Sequence, residues 1–156
     1  LAKNPDSDID LSQGFGVRAP RIQGLEIVKP PYGRVTAIDM NSGDHLWMIA
    51  NADTPDRIKN HPLLEGVDLP RTGIPTRAGV VVTKTLLFVA EGTGGAGASP
   101  IFRAVDKTTG EIIAELDLPA NQSGVPFTYE HNGKQYVALF VTSGNRAAEL
   151  VAYALP

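Results

Sequence analysis

Two aspartates, Asp39 and Asp106, are the residues of this sequence that most resemble a pair of catalytic acids. Each follows a short apolar run and is itself followed, three and four residues later, by Ser or Thr and then Gly. Both therefore occupy the same place in a repeated turn, where an Asp side chain accepts hydrogen bonds from the backbone N–H groups that follow it. We predict that these carboxylates cap turns and do not transfer protons.

Other residues with chemical potential also have simpler interpretations. His45, His61 and His131 lack the spacing of zinc ligands. The glycine-rich residues 92–97 have the composition of a phosphate-binding loop, but they lead into a predicted strand instead of a helix N-terminus. We predict a plain flexible connection there. No Ser-His-Asp arrangement is recognisable, so we assign no catalytic residue and no metal ligand to this chain.

The elements that position these residues are strands arranged in a repeat. Residues 37–47 and 104–114 are two full copies of one segment, and residues 151–154 are a partial third. Each full copy reads strand, turn, strand, and two further predicted strands precede the second and third copies. The Asn132-Gly133 dipeptide between β-rich runs is a strong hairpin signal. Four short antiparallel strands per unit predict an all-β chain that forms part of a β-propeller.

The number of repeats indicates that the propeller is incomplete. Closed propellers need about four to eight blades, whereas these residues account for about three. We predict the following divisions: an irregular arm at 1–24, a partial blade at 25–49, a loop insertion at 50–76 with one helical turn near 61–64, a full blade at 77–118 and a last blade at 119–156. An open stack exposes unpaired faces at both ends, so we expect further blades of a longer polypeptide to pack there.

Composition excludes several classes of protein. The net charge of −3 gives no basic surface for nucleic acid, and no apolar run is long enough for a membrane span. The 156 residues contain no cysteine, which excludes disulfides and Cys-ligated zinc. The hydrophobic content of 42% is typical of a globular domain.

The repeated pattern Ala-x-Asp-x-x-(Ser/Thr)-Gly-x-x-x-Trp resembles the tryptophan-docking motif of quinoprotein dehydrogenases, which carry pyrroloquinoline quinone (PQQ). The first copy has Trp47 at the last position, whereas the second has Ala114 there. In that family the Trp packs flat on a peptide of the neighbouring blade, which implies one weaker joint here. Residues 29–39, 83–88, 132–137 and 151–156 are also similar to the C-terminal part of membrane-type PQQ glucose dehydrogenases and their relatives.

This resemblance implies a fragment of a PQQ-dependent, calcium-containing periplasmic enzyme. Such an enzyme oxidises an alcohol or an aldose sugar such as glucose and passes electrons to a quinone or cytochrome acceptor. The resemblance also implies that the catalytic carboxylate and the calcium ligands lie earlier in the polypeptide. The alternative is a non-catalytic propeller with PQQ-like repeats that serves as a protein-binding scaffold.

Alternation of the strands sorts the connections by face. The tight turns near residues 42, 84, 109 and 132 share one face, and the long connections at 29–33, 50–79, 91–99, 119–124 and 143–148 share the other. The resemblance places the quinone on the side of the long connections. PQQ carries three carboxylates, so Lys29, Arg77 and Arg146 are the candidate cofactor-binding residues. Arg77 is best placed, because we expect it to open an innermost strand. Solvated surface charges and structural ion pairs remain the alternative interpretation of all three.

Overall fold

A computed structural model describes residues 21–92, 97–144 and 146–154. These residues form short antiparallel strands with little helix, which confirms the all-β class. The strands are β1 Arg21–Ile22, β2 Leu25–Glu26, β3 Arg34–Ile38, β4 His45–Ala50, β5 Val80–Val82, β6 Leu86–Ala90, β7 Ile101–Asp106, β8 Ile112–Asp117, β9 Asn121–Gln122, β10 Phe127–His131, β11 Lys134–Ser143 and β12 Arg146–Ala154. One helix, α1, spans Asp56–Lys59, and a 3₁₀ turn spans Pro62–Leu64.

The central sheet has the form of a propeller blade. Its four strands pair in the order β5-β6-β7-β8, so each strand lies beside its neighbour in sequence. Val80 faces Val89 across the first pair, and Phe88 faces Ala104 across the second. The connection between β5 and β6 is closed by Thr83, whose hydroxyl accepts the N–H of Leu86 and donates to its carbonyl.

The two flanking sheets are less complete. Strands β3 and β4 form a two-stranded sheet before the central blade. After it, β10, β11 and β12 pair in that order. The short β9 lies on the same side of β11 as β10 and pairs with the other end of that strand. The hairpin predicted at Asn132-Gly133 is confirmed, and both residues have positive φ, of 52° and 72°. This is the backbone conformation that tight hairpins require.

Two apolar clusters hold the three sheets together. The first lies between the central blade and the last sheet, where Phe88 and Phe102 meet Leu139 and its neighbours on β11. The second lies between the central blade and the first sheet, where Val89 and Val105 meet residues of β3 and β4. Side chains alternate along each strand, so β7 contributes Phe102 to one cluster and Val105 to the other. The β-bulge in the pairing of β7 with β8, at Ala104 and Val105, does not change this alternation. The central blade is therefore buried on both faces.

Several boundaries differ from the sequence predictions. The predicted strand at 25–28 is only Leu25–Glu26, and it pairs with β1 instead of joining a blade. The helical turn near 61–64 is confirmed, but α1 before it was not predicted. The expectation that Arg77 opens an innermost strand is wrong, because β5 begins at Val80. The backbone before β5 instead packs closely on other loops: a Cβ on Gly79 would lie 2.9 Å from the Cα of Val125.

Candidate functional site

The two aspartates of the repeat cap turns, as predicted. One carboxylate oxygen of Asp106 accepts the backbone N–H groups of Thr108 and Thr109 at 2.7 and 2.9 Å. Asp39 does the same for the two corresponding residues of its own turn. These backbone donors lower the pKa of both carboxyl groups. An exposed acid whose proton affinity is reduced by turn N–H groups is suited to holding the turn and poorly suited to acting as a base.

The tryptophan of the first repeat joins two sheets. The indole N–H of Trp47 donates to the carbonyl of Lys107 at 2.9 Å, which lies in the repeated turn of the central blade. A Cβ on Gly110 would lie 2.8 Å from the Trp47 ring, so the ring lies directly on this glycine. At the second joint, Ala114 is exposed and offers no ring. There Tyr153 lies near Phe102 and its hydroxyl donates to the carbonyl of Asp117.

The long connections meet on one side of the sheets through close backbone contacts. Gly33 and Gly73 approach so tightly that a Cβ on Gly73 would lie 2.1 Å from the carbonyl oxygen of Gly33. Asn51 joins them, because its backbone N–H donates to Gly33 and its carbonyl accepts the N–H of Ile74. The connection before β3 and two parts of the connection between β4 and β5 are thus fixed against each other.

Two amide side chains extend this set of contacts to the last sheet. Gln122 is fully buried, accepts the N–H of Ala90 and donates to the carbonyls of Gly79 and Gly124. Asn121 donates to the carbonyls of Glu91 and Ala98, at 3.3 Å in each case. The side of the molecule that carries the long connections is therefore built from many interlocked backbone segments.

The three predicted cofactor-binding residues have different settings. Lys29 and Arg77 are exposed, and within residues 21–92, 97–144 and 146–154 neither side chain forms a hydrogen bond or ion pair. The neighbours of Arg77, Thr76 and Ala78, line a cavity of about 370 Å³ that also borders Tyr32 and Asn51. Arg146 begins β12, but its side chain lies outside the described part of the chain. The structure therefore places the chain neighbours of Arg77 on the wall of a cavity and does not join the three residues into one group.

The cavity beside Arg77 has polar groups on its wall. Asn51 is 6% exposed and donates to the carbonyl of Ala90, while its Oδ1 atom accepts no hydrogen bond within the described residues. Tyr32 lies on the same wall, and burial together with the charge of Glu26 raises the pKa of its phenol. The cavity thus offers an acceptor and a neutral hydroxyl, and the two residues that flank Arg77 in the chain form part of its wall.

Sequence reasoning missed a buried ion pair on this side. Glu91, which follows β6, and Arg103, on β7, are each only 2% exposed and meet at 2.5 Å. Arg103 also reaches Glu115, which in turn lies 3.7 Å from Arg71 of the long connection. A signal for it was present, since Arg103 stands in a strand of apolar residues at a position that alternation turns inward.

The histidines and the glycine-rich connection have structural contacts where they are described. The ring of His61 accepts the N–H of Leu63 and contacts the carbonyl of Gln23 at 2.8 Å. The flexible loop predicted at 92–97 falls mainly on residues 93–96, which lie outside the described residues. In the part that is described, no three acidic, His or Cys side chains form a group that could hold a metal ion.

Comparison with known proteins identifies the family. The model of the PQQ β-propeller domain of glucose, ethanol and alcohol dehydrogenases matches residues 10–137. The chain belongs to this family of quinoprotein propeller domains. It is 36% identical over 146 residues to the glycerol dehydrogenase large subunit of Gluconobacter thailandicus, a match that covers 85% of this chain and 18% of that protein.

Two further relatives carry other names. Quinoprotein glucose dehydrogenase A of Acinetobacter calcoaceticus is 32% identical over 139 residues, which are 85% of this chain and 16% of that protein. A probable quinate dehydrogenase (quinone) of Xanthomonas campestris pv. juglandis is 31% identical over 143 residues, 85% of this chain and 17% of the relative. The chain thus spans less than a fifth of the length of these relatives. No helix in the described ranges is long and apolar enough to cross a membrane.

The residues of this chain fit the quinone that the family name implies. Each PQQ carboxylate needs a cationic or N–H donor that is not already paired within the protein. Lys29 and Arg77 meet this condition among the described residues. Arg103 does not, because Glu91 and Glu115 engage two of its guanidinium nitrogens and the third, Nη1, is buried. Within the described part of the chain, Lys29 and Arg77 are thus unpaired cations of the kind that an anionic cofactor requires.

Proposed function

We propose that this chain is part of the propeller of a PQQ-dependent dehydrogenase that oxidises an alcohol or an aldose sugar. The observation that carries the proposal is the match of residues 10–137 to the quinoprotein propeller domain. The joint made by Trp47 and Gly110 supports it, because it has the form of the family's docking motif. Because the chain spans 16 to 18% of its relatives, the activity belongs to a longer protein.

In this proposal the residues of the chain bind and orient the cofactor. The guanidinium of Arg77 and the ammonium of Lys29 donate to PQQ carboxylates, and Arg146 is a third donor. When bound, PQQ supplies the acceptor for the hydride removed from the substrate carbon. By the resemblance, we assign the catalytic base and the ligands of the proposed Ca²⁺ ion to other parts of the polypeptide. In the described part of this chain, no three acidic, His or Cys side chains form a metal-binding group.

The outer faces of the flanking sheets are the proposed contacts with the remaining blades. Leu46 and Met48 point away from the central blade and are 58% and 47% exposed. On the last sheet, Phe140 and Leu150 face each other across β11 and β12 and are 47% and 55% exposed. Apolar side chains grouped on a sheet face indicate a partner surface, and further blades of the same polypeptide fit it.

The proposal also includes the cellular setting. We propose a periplasmic location and a quinone or cytochrome as electron acceptor. Support for both is the resemblance to quinoprotein dehydrogenases and the names of the quinate relatives, which include a quinone. Osmotic-shock fractionation of cells that produce the full-length protein tests the location, and recovery in the cytoplasmic fraction contradicts it.

The test of function uses the full-length protein that contains these residues. The purified apoprotein is titrated with PQQ and Ca²⁺, and dye-linked oxidation is then measured with glycerol, glucose and quinate. We expect saturable reconstitution and turnover of at least one of these substrates, and no turnover by residues 1–156 alone. If the full-length apoprotein does not bind PQQ, the dehydrogenase proposal is wrong and the scaffold alternative gains support.

A further inference from the structure

The buried pair formed by Glu91 and Arg103 has a more specific role than general stabilisation. Removing two charges from water costs several kcal/mol per ion, and a buried pair often stabilises a protein no more than packed apolar residues do. Here both residues are 2% exposed, and Arg103 Nη2 donates to Glu91 Oε1. Unlike an apolar contact, these hydrogen bonds have a fixed direction, so the pair can hold the two side chains in one orientation.

Besides Arg103, three further residues hold the side chain and the backbone of Glu91. Its second carboxylate oxygen accepts the N–H of Ser99 at 2.7 Å, and its own N–H donates to the carbonyl of Ile101 at 3.2 Å. The Asn121 side chain donates to its carbonyl at 3.3 Å. Glu91 is thus held from β7, from the end of the connection that precedes β7 and from the last sheet.

The next residue, Gly92, transmits this position to the backbone of Arg77. A Cβ on Gly92 would lie 2.6 Å from the backbone nitrogen of Ala78 and 2.8 Å from the carbonyl carbon of Arg77. The backbone of Gly92 therefore lies against the Arg77–Ala78 peptide with no room for a side chain. Any movement of Glu91 moves the residue on which this peptide rests.

We propose that Glu91 and Arg103 are positioning residues for Arg77, and that they set the direction in which its guanidinium meets a carboxylate of the quinone. This inference rests on the proposed function, in which Arg77 is a donor to PQQ. Arg77 has no partner of its own among the described residues, so its backbone is the main constraint on where its side chain reaches.

The test is a PQQ titration of the full-length apoprotein, in which quenching of the protein fluorescence reports binding. Arg77→Ala removes a charge-assisted hydrogen bond and should raise the Kd about 10-fold to 100-fold. Glu91→Gln and Gly92→Ala should each raise the Kd about fivefold to twentyfold. Because both act through Arg77, neither should raise it further in an Arg77→Ala background. With PQQ saturating, kcat of Glu91→Gln should stay within about twofold of the parent protein, since the pair does not touch the substrate.

A matched control is Glu115→Gln, which also removes a carboxylate from Arg103. Glu115 is 44% exposed and makes none of the contacts that hold the backbone of Glu91, so its loss should change the Kd less than about twofold. If Glu91→Gln does not fold, Asn121→Ala removes one of the contacts that hold the backbone of Glu91, together with a bond to the carbonyl of Ala98, and should also raise the Kd.

The possible failures are distinguishable. An apoprotein that does not bind PQQ contradicts the proposed function and with it this inference. If PQQ binds and Arg77→Ala weakens it, but Glu91→Gln leaves the Kd unchanged or weakens binding equally in the Arg77→Ala background, only the positioning role is wrong. An unchanged Kd in Arg77→Ala contradicts the assignment of Arg77 and leaves the dehydrogenase proposal standing.

Discussion

The joint between the β3–β4 sheet and the central blade leads to a prediction with an internal control. Two glycines, one in each sheet, occupy the same position of the repeat, and only one of them lies in the joint. Gly43 and Gly110 have φ values of 80° and 79°. A Cβ on Gly43 would meet nothing within 4 Å, whereas one on Gly110 would lie 2.8 Å from the ring of Trp47. Substitution by Ala therefore imposes the same backbone strain at both sites and displaces the Trp at only one.

The magnitudes follow from these contacts. An Ala at positive φ costs about 1 kcal/mol, so we expect Gly43→Ala to lower the free energy of unfolding by about that amount. Gly110→Ala should add about 2 kcal/mol, because overpacking costs roughly 1–3 kcal/mol and the bond from Trp47 to the Lys107 carbonyl contributes about 1. In a Trp47→Ala background the clash is gone, and Gly110→Ala should again cost only about 1 kcal/mol.

The free energy of unfolding is measured by urea unfolding of the full-length protein, with far-ultraviolet circular dichroism as the signal. The four variants Gly43→Ala, Gly110→Ala, Trp47→Ala and the Trp47/Gly110 double substitution are compared through their midpoints at a common slope. Equal losses for the two glycines, or additive losses for Trp47 and Gly110, would show that the ring does not rest on Gly110 and would refute this account of the joint.

Three further predictions concern stability. Gln122→Leu leaves three buried backbone groups without their partner and should lower the free energy of unfolding by about 2–4 kcal/mol, measured by urea unfolding; a loss below 1 kcal/mol contradicts the buried contacts. Tyr153→Phe removes the bond to Asp117 and should cost about 1 kcal/mol, whereas the exposed Tyr129→Phe, with no hydroxyl partner among the described residues, should cost almost nothing. The carboxyl of Asp106 has a lowered pKa in the folded state, so its turn is most stable above the ordinary value of 3.8 and loses stability as the pH falls through the folded pKa. The difference in urea midpoint between Asp106→Asn and the parent protein should therefore shrink as the pH falls below about 4, and a difference independent of pH contradicts this.

The repeat made much of the fold predictable from the sequence. Asp39 and Asp106 signal the same turn twice, and the hairpin at Asn132-Gly133 needs backbone conformations that only a few residues adopt readily. Because each of these tight turns pairs the two strands that it connects, such local signals predict which strands are neighbours in a sheet. The helix α1 at Asp56–Lys59 was not predicted, because four residues are too few for a helical period and contacts outside the helix decide their conformation.

The candidate site was less predictable, because its geometry depends on contacts between distant segments. Lys29 and Arg77 were selected for their charge and for the face on which their loops lie, and the structure shows both exposed. No local pattern indicates that Gly33 and Gly73 interlock or that Gly92 rests on the Arg77 peptide. These approaches join residues that lie 15 to 40 positions apart, and they become visible only when the backbone is traced.

Arg77 and Arg103 show why charge alone does not identify a cofactor donor. Both are cations near the long connections, yet Arg103 is buried between two carboxylates and has little capacity left for a ligand. A guanidinium already engaged in this way can act on an anion only indirectly, by holding the backbone of a neighbour. Arg77 has the opposite setting, with no partner among the described residues and a cavity beside it. Division of the two roles between two arginines means that a substitution of either should weaken quinone binding, but only that of Arg77 removes a proposed direct donor to the quinone.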